Sequence, residues 1–155
     1  MPRWTAPSRA VLLALALAAC ARPAGVLVRP TPVGTMPGDD VAAVRAAVTA
    51  FVLGEARGEE SVDTLLARGA EFVASGVPVA NRPRLAGMAG RGLGSVVEFR
   101  GQVAGDVAWA VVAYTWQGED PAGAEFARAT FVLTRVPAGW RIHHVHASHV
   151  ERWGR

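Results

Sequence analysis

An α+β domain is the fold class this sequence predicts, and three observations carry the prediction. One amphipathic helix comes early, with Val41, Val44, Val48, Phe51 and Val52 on a single face. Four segments rich in Val, Thr, Phe and Trp come late, over 95–103, 107–116, 125–136 and 140–150, separated by Gly, Asp or Pro clusters. The links between these segments are too short for parallel crossovers, so an antiparallel meander is expected. Helix first and sheet afterwards is the α+β order.

The chain does not begin with that domain. Arg3 and Arg9 precede an unbroken apolar run from Ala10 to Ala19, the n-region and h-region of a signal peptide. Such a run rises only ~15 Å as a helix, about half of the ~30 Å hydrocarbon core, and cannot serve as an ordinary membrane span. Leu17-Ala18-Ala19-Cys20 closes it and resembles the bacterial lipobox, which implies cleavage before Cys20 and a lipid on its thiol. Cys20 is the only cysteine, and an exported chain has little use for one free thiol, so lipidation accounts for it. The expected partner is then a lipid bilayer in the cell envelope. Ala21 stands where many lipoproteins held at the inner membrane have aspartate, which favours the periplasmic face of the outer membrane.

Removing residues 1–19 leaves 136 of the 155 residues, the size of one domain with one core. The basic residues are all arginine, 16 of them against 13 acids, and losing Arg3 and Arg9 lowers the net charge from +3 to +1. The remaining arginines are scattered, which excludes a nucleic-acid partner of the usual basic kind. Residues 20–38 hold the lipidated cysteine and then Pro23, Pro30, Pro32 and Pro37 with Gly25, Gly34 and Gly38, and read as a flexible tether. Largely extended at ~3 Å per residue, it would hold the domain some tens of ångströms from the bilayer.

The folded domain is expected over 39–150, with 151–155 as a tail. Asp39 or Asp40 caps the first helix, which stops between Gly54 and Gly58. A second, shorter helix carries Val62, Leu65 and Leu66 and runs to Gly69. Residues 70–80, interrupted by Gly76 and Pro78, suit a short bent strand or hairpin at a sheet edge. A third short helix is expected over 83–89 with Asn81 as its cap.

The last hairpin decides which side chains share a face. With Pro137-Ala138-Gly139 as the turn, Arg128, Thr130, Val132 and Thr134 oppose Ser148, His146, His144 and Ile142, while Ala129, Phe131 and Leu133 oppose Ala147, Val145 and His143. The second face is the more apolar and should turn onto the first helix, forming core and the floor of any pocket. The first face carries Val132, Trp140, Ile142, His144 and His146, too much apolar surface to leave in water, and is expected to join two copies in a homodimer.

The segment Gly139-Trp140-Arg141-Ile142-His143-His144-Val145-His146-Ala147-Ser148, preceded by the strand 128–135, resembles the closing hairpin of SnoaL-like domains in the nuclear transport factor 2-like superfamily. It is also similar to that hairpin in the association domain of calcium/calmodulin-dependent kinase. The resemblance covers about 39–150. It implies a cone in which a curved antiparallel sheet wraps around an N-terminal helix, and it leaves function open, since this fold hosts isomerases, cyclases, dehydratases and proteins without known chemistry.

In such a cone a small-molecule ligand is expected to meet Arg128, Phe131, His143 and Val145. Catalysis would need a base of raised pKa and an oxyanion donor, and Glu98, Tyr114 and His143 are the candidates. Relatives of ketosteroid isomerase place an aspartate shortly after the second helix, whereas Phe72-Val73-Ala74-Ser75-Gly76-Val77-Pro78 offers no acid past Glu71. Glu98 can equally pair with Arg100 or Arg128. The His144-x-His146 pair has zinc-ligand spacing but no third ligand that sequence can place beside it, so neither metal nor cofactor is expected. Two functions stand: an envelope-anchored module that binds a small molecule or partner protein without catalysis, and a small isomerase- or cyclase-type enzyme.

Overall fold

The computed structural model describes residues 38–118 and 123–150. The expected signal peptide, Cys20, the tether before residue 38 and the tail lie outside the described residues. Helix α1 (Gly38–Arg57) is followed by a 3-10 helix (Glu60–Leu65) and strands β1 (Leu66–Ala74), β2 (Val77–Pro78), β3 (Gly92–Ala104), β4 (Val107–Gly118), β5 (Glu125–Val136) and β6 (Gly139–His149). Asp39 and Asp40 sit in the first turn of α1 and Arg57 in its last, each complementing the helix dipole. Gly58, at φ 68°, ends the helix in a Schellman motif. Its N–H donates to the Glu55 carbonyl at 3.0 Å, and the Glu59 N–H donates to that of Gly54 at 2.8 Å.

The strands form one sheet in the order β2-β1-β6-β5-β4-β3. From β3 to β6 it is the antiparallel meander that the sequence predicts. Beyond β6 it departs from expectation, because β1 pairs parallel to β6 and makes the sheet mixed. β1 begins where a second helix was expected. Only Val62 of the 3-10 helix is buried, Leu66 is already extended at φ −88° and ψ 143°, and β6 offers it an open edge to pair with. The edge hairpin is present as β1 and β2, turning at Ser75-Gly76. The third expected helix does not form. Arg84, Leu85, Ala86 and Met88 are all buried, which no single helix face allows, and Gly87 takes a left-handed φ of 78°.

The β5–β6 hairpin corrects the expected faces. Val136 pairs with Gly139, so the link is Pro137-Ala138 alone and the register over Leu133–Val136 is one residue off the prediction. An extra residue, His143, bulges out between the pairs Leu133↔Ile142 and Val132↔His144, and the predicted register resumes from there. A one-residue slip reverses side-chain direction. Trp140 and Ile142 therefore belong to the core rather than to an outer dimer face, and His143 is exposed rather than inward.

The core lies between α1 and the inner face of the sheet. Val44, Val48, Phe51, Val52 and Ala56 meet Val112 and Tyr114 of β4, Ala129, Phe131 and Leu133 of β5, and Ile142, Val145 and Ala147 of β6. Phe51 stacks on Phe72 at 5.9 Å and meets Phe131 edge-on at 6.0 Å, geometries that aromatic quadrupoles favour. Small residues let the helix come close: a Cβ on Gly94 of β3 would lie 2.7 Å from that of Ala56.

Candidate functional site

The interior of the cone is where the sequence places a pocket floor, and the chain itself fills it. Glu55 falls on the buried face of α1 one turn after Phe51 and is 2% exposed. A buried carboxylate needs partners, and the segment between β2 and β3 supplies them. Arg84, 7% exposed, gives Glu55 its backbone N–H at 3.0 Å and its guanidinium at 2.5 and 3.1 Å. Arg82 adds a contact at 3.1 Å. The Arg84 guanidinium also lies 5.4 Å from the centre of the Phe51 ring and 4.9 Å from that of Phe72, so its faces rest on aromatic carbon while its edge holds carboxylate.

Asp63 completes the network from outside, 2.7 Å from both Arg82 and Arg84. Burial pushes its pKa up, but hydrogen bonds from Arg84 and Arg82 outweigh that and hold it below the ordinary aspartate range. Arg82 also donates to the Glu59 carbonyl at 2.6 Å. Deeper in, Tyr114 donates its hydroxyl to the Ala86 carbonyl at 2.6 Å, and burial pushes its pKa well above that of a free phenol. Sequence reading missed Glu55 and Arg84. The available signal was a charged residue on the apolar face that Val44, Val48, Phe51 and Val52 define.

The residues singled out from sequence do not converge. Tyr114 is interior and bonded to backbone. Glu98 lies in β3 opposite Ala113, on the other face of the sheet from Tyr114, and is held by Arg100 at 2.7 Å with Arg128 at 3.7 Å. His143 is exposed on its bulge. Of the expected ligand contacts, Phe131 and Val145 are fully buried in the core, while Arg128 is exposed on the outer face. His144 and His146 also face outward, with Glu71 opposite His144 at 3.9 Å.

Openings adjoin α1 among the described residues. A groove of about 460 Å³ runs between α1 and β3, where Arg45 stacks on Phe99 at 4.8 Å above Thr49, Leu53 and Val96. A cleft of about 230 Å³ opens at the C-terminal end of α1 beside Glu55, Gly58, Arg82, Pro83 and Arg91. The indole N–H groups of Trp116 and Trp140 are buried without a hydrogen-bond partner among the described residues, a state that costs about 1–3 kcal/mol each.

The family model of the SnoaL-like domain matches residues 95–151. A candidate dehydratase of the NTF2-like family from Streptomyces avermitilis superposes with a TM-score of 0.60 at 22% identity, over 76% of this chain and 100% of that one. A candidate ketosteroid isomerase from Shewanella frigidimarina gives 0.54 at 22% identity, over 68% and 94%. A Mycobacterium tuberculosis protein of unknown function gives 0.61 at 18%, over 77% and 79%. Likeness at these identities is likeness of fold. No curated protein matches the sequence.

Two expected outcomes test the buried network. Glu55→Ala strands the Arg84 charge and should cost about 3–5 kcal/mol in urea unfolding, whereas Glu55→Ala with Arg84→Leu should recover much of that loss. Equal losses in the single and double variants would mean that the pair is not coupled. Because the Asp63 pKa is lowered by folding, its contribution is complete above the unfolded value of about 3.9 and fades as pH falls through the folded value. Wild type should therefore lose more stability than Asp63→Asn on acidification below about pH 4, and parallel pH profiles would exclude this linkage.

Proposed function

We propose that this domain, which is similar to SnoaL-like domains over residues 95–151 and has a nuclear transport factor 2-like fold, belongs to a membrane-tethered protein that binds a small molecule or a partner protein without catalysis. The observation that carries this reading is the filled interior. Where an enzyme of this shape would bring an acid, a base and an oxyanion donor around a substrate, this chain places the Glu55–Arg84 pair between two phenylalanine rings and commits the Tyr114 hydroxyl to the Ala86 carbonyl. Glu98 and His143 point away from that space. The names of the dehydratase and isomerase candidates of like fold make catalysis the competing reading.

The tether rests on the sequence alone: Arg3 and Arg9, the apolar run 10–19 and Leu17-Ala18-Ala19-Cys20 support a lipid on Cys20 and a place in the cell envelope, with the outer membrane favoured by Ala21. A homodimer through the outer sheet face is part of the same proposal, on a revised set of residues. Trp109 (44% exposed) and Val107 (48%) stand out from β4 beside Val111, with Val132 paired to Trp109 and His144 paired to Val132. That ladder is an apolar strip flanked by His146 and Arg128, suited to a twofold contact.

Cys20→Ala should abolish fatty-acid labelling and release the chain from membranes. Labelling that persists in this variant would overturn the anchor. Small molecules co-purifying with the full chain, identified by mass spectrometry, should be recovered unchanged after incubation, while conversion that Tyr114→Phe abolishes would reverse the ranking. In sedimentation, wild type should be a dimer that Trp109→Glu splits into monomers, and a monomeric wild type at every concentration would remove the dimer.

A further inference from the structure

We infer that the cleft around Arg91, at the C-terminal end of α1, binds a small organic oxyanion, a carboxylate or a phosphate ester. The inference rests on the binding reading above and gives it a ligand class. Arg91 belongs to two adjoining openings, the cleft of about 230 Å³ beside Gly58, Arg82, Gly90 and Glu55, whose carboxylate Arg82 and Arg84 already neutralise, and another of about 390 Å³ beside Arg57, Gly92 and Gln117. The smaller opening lies below the range of drug-sized pockets, roughly 300–1,000 Å³, and suits a compact ligand.

The charges around it leave one cation over. Arg57 is held by Glu59 at 2.5 Å, and Arg82 and Arg84 share Glu55 and Asp63. Arg91 has no anionic partner among the described residues, and its exposed guanidinium lies at the mouth of both openings. It is also positioned. Its Cγ and Nε lie 3.2 and 3.3 Å from where a Cβ on Gly58 would be, so the left-handed glycine that ends α1 is also the surface on which the arginine lies. A guanidinium whose stem rests on this surface presents a planar fork of N–H groups, the arrangement that takes an oxyanion in two hydrogen bonds.

A second observation points to an acceptor. The unpartnered Trp116 N–H is buried just behind Gly92, 2.7 Å from where a Cβ on that residue would lie. Gly92 is a wall of the larger opening and has no side chain to cover the indole. Arg91 is common to both openings, with the paired Arg57 at the larger and the paired Arg82 at the smaller.

The experiment titrates the full chain with inorganic phosphate and, separately, with acetate, followed by calorimetry and by the tryptophan indole N–H resonances. Saturable binding of at least one anion is expected, with a shift of the Trp116 indole signal. Arg91→Gln should weaken it roughly tenfold or more, the loss of a charged hydrogen-bond partner. Arg68→Gln, which removes an exposed arginine from β1, should leave it unchanged. Failure of wild type to bind either anion saturably, or equal affinity in Arg91→Gln, would overturn the site. Such a failure leaves binding of a neutral molecule or a partner protein standing, whereas turnover would overturn the non-catalytic reading without changing the affinity of Arg91 for phosphate.

Discussion

A carboxylate on the apolar face of α1 has to be answered by a cation, and the interior of the domain is arranged around that answer. Glu55 cannot be buried alone. Arg84 reaches it only if residues 82–88 pass into the cone, and once they do, Leu85, Ala86 and Met88 are carried into the core with it. A segment without regular structure brings backbone polar groups that the interior must satisfy. Glu55 takes the Arg84 N–H and Tyr114 takes the Ala86 carbonyl, so an ion pair and a phenol between them make an irregular segment acceptable as core.

Wherever periodicity reported burial directly, the fold was legible in the sequence. Val44, Val48, Phe51 and Val52 share the buried face of α1, and the alternation of Ala108, Ala110, Val112 and Tyr114 marks the inner face of β4. Reading failed where a local choice was decided by a distant partner. Leu65 and Leu66 suit a helix end or a strand start equally well, and pairing with β6 decides for the strand. Pro137-Ala138-Gly139 permits two turns that differ by one residue, and the shorter one sends Trp140 and Ile142 inward and forces His143 out. The buried network was illegible for another reason: Glu55 and Arg84 are 29 residues apart, and no spacing rule links them.

The two faces of the sheet divide the chemistry between them. The inner face of β4 and β5 sets Ala108, Ala110, Ala127 and Ala129 beside Val112, Tyr114, Phe131 and Leu133, which leaves room for α1 and for the inserted segment. The outer face carries charged and polar groups that pair at the surface: Glu98 with Arg100 and Arg128, and His144 opposite Glu71. An amphipathic sheet of this kind puts its polar groups on surface open to partners and spends its apolar ones on stability.

Ion pairs of the Glu55–Arg84 kind are weak grounds for stability, because apolar residues of equal volume often do as well. What apolar residues would not reproduce is direction. The Arg84 backbone N–H is fixed by the same carboxylate that fixes its guanidinium, so the path of the chain is set at this residue as well as its burial. Gly90, Arg91 and Gly92 follow a few residues later, before β3 begins its pairing with β4 at Gly92↔Gly118. The segment is thus held at both ends, by Glu55 within the cone and by the sheet at its rim. The Glu55–Arg84 pair and the arginine-lined cleft are thus one arrangement: the path that carries residues 82–88 into the cone to meet Glu55 continues to Arg91, beside the cleft that Glu55 itself lines.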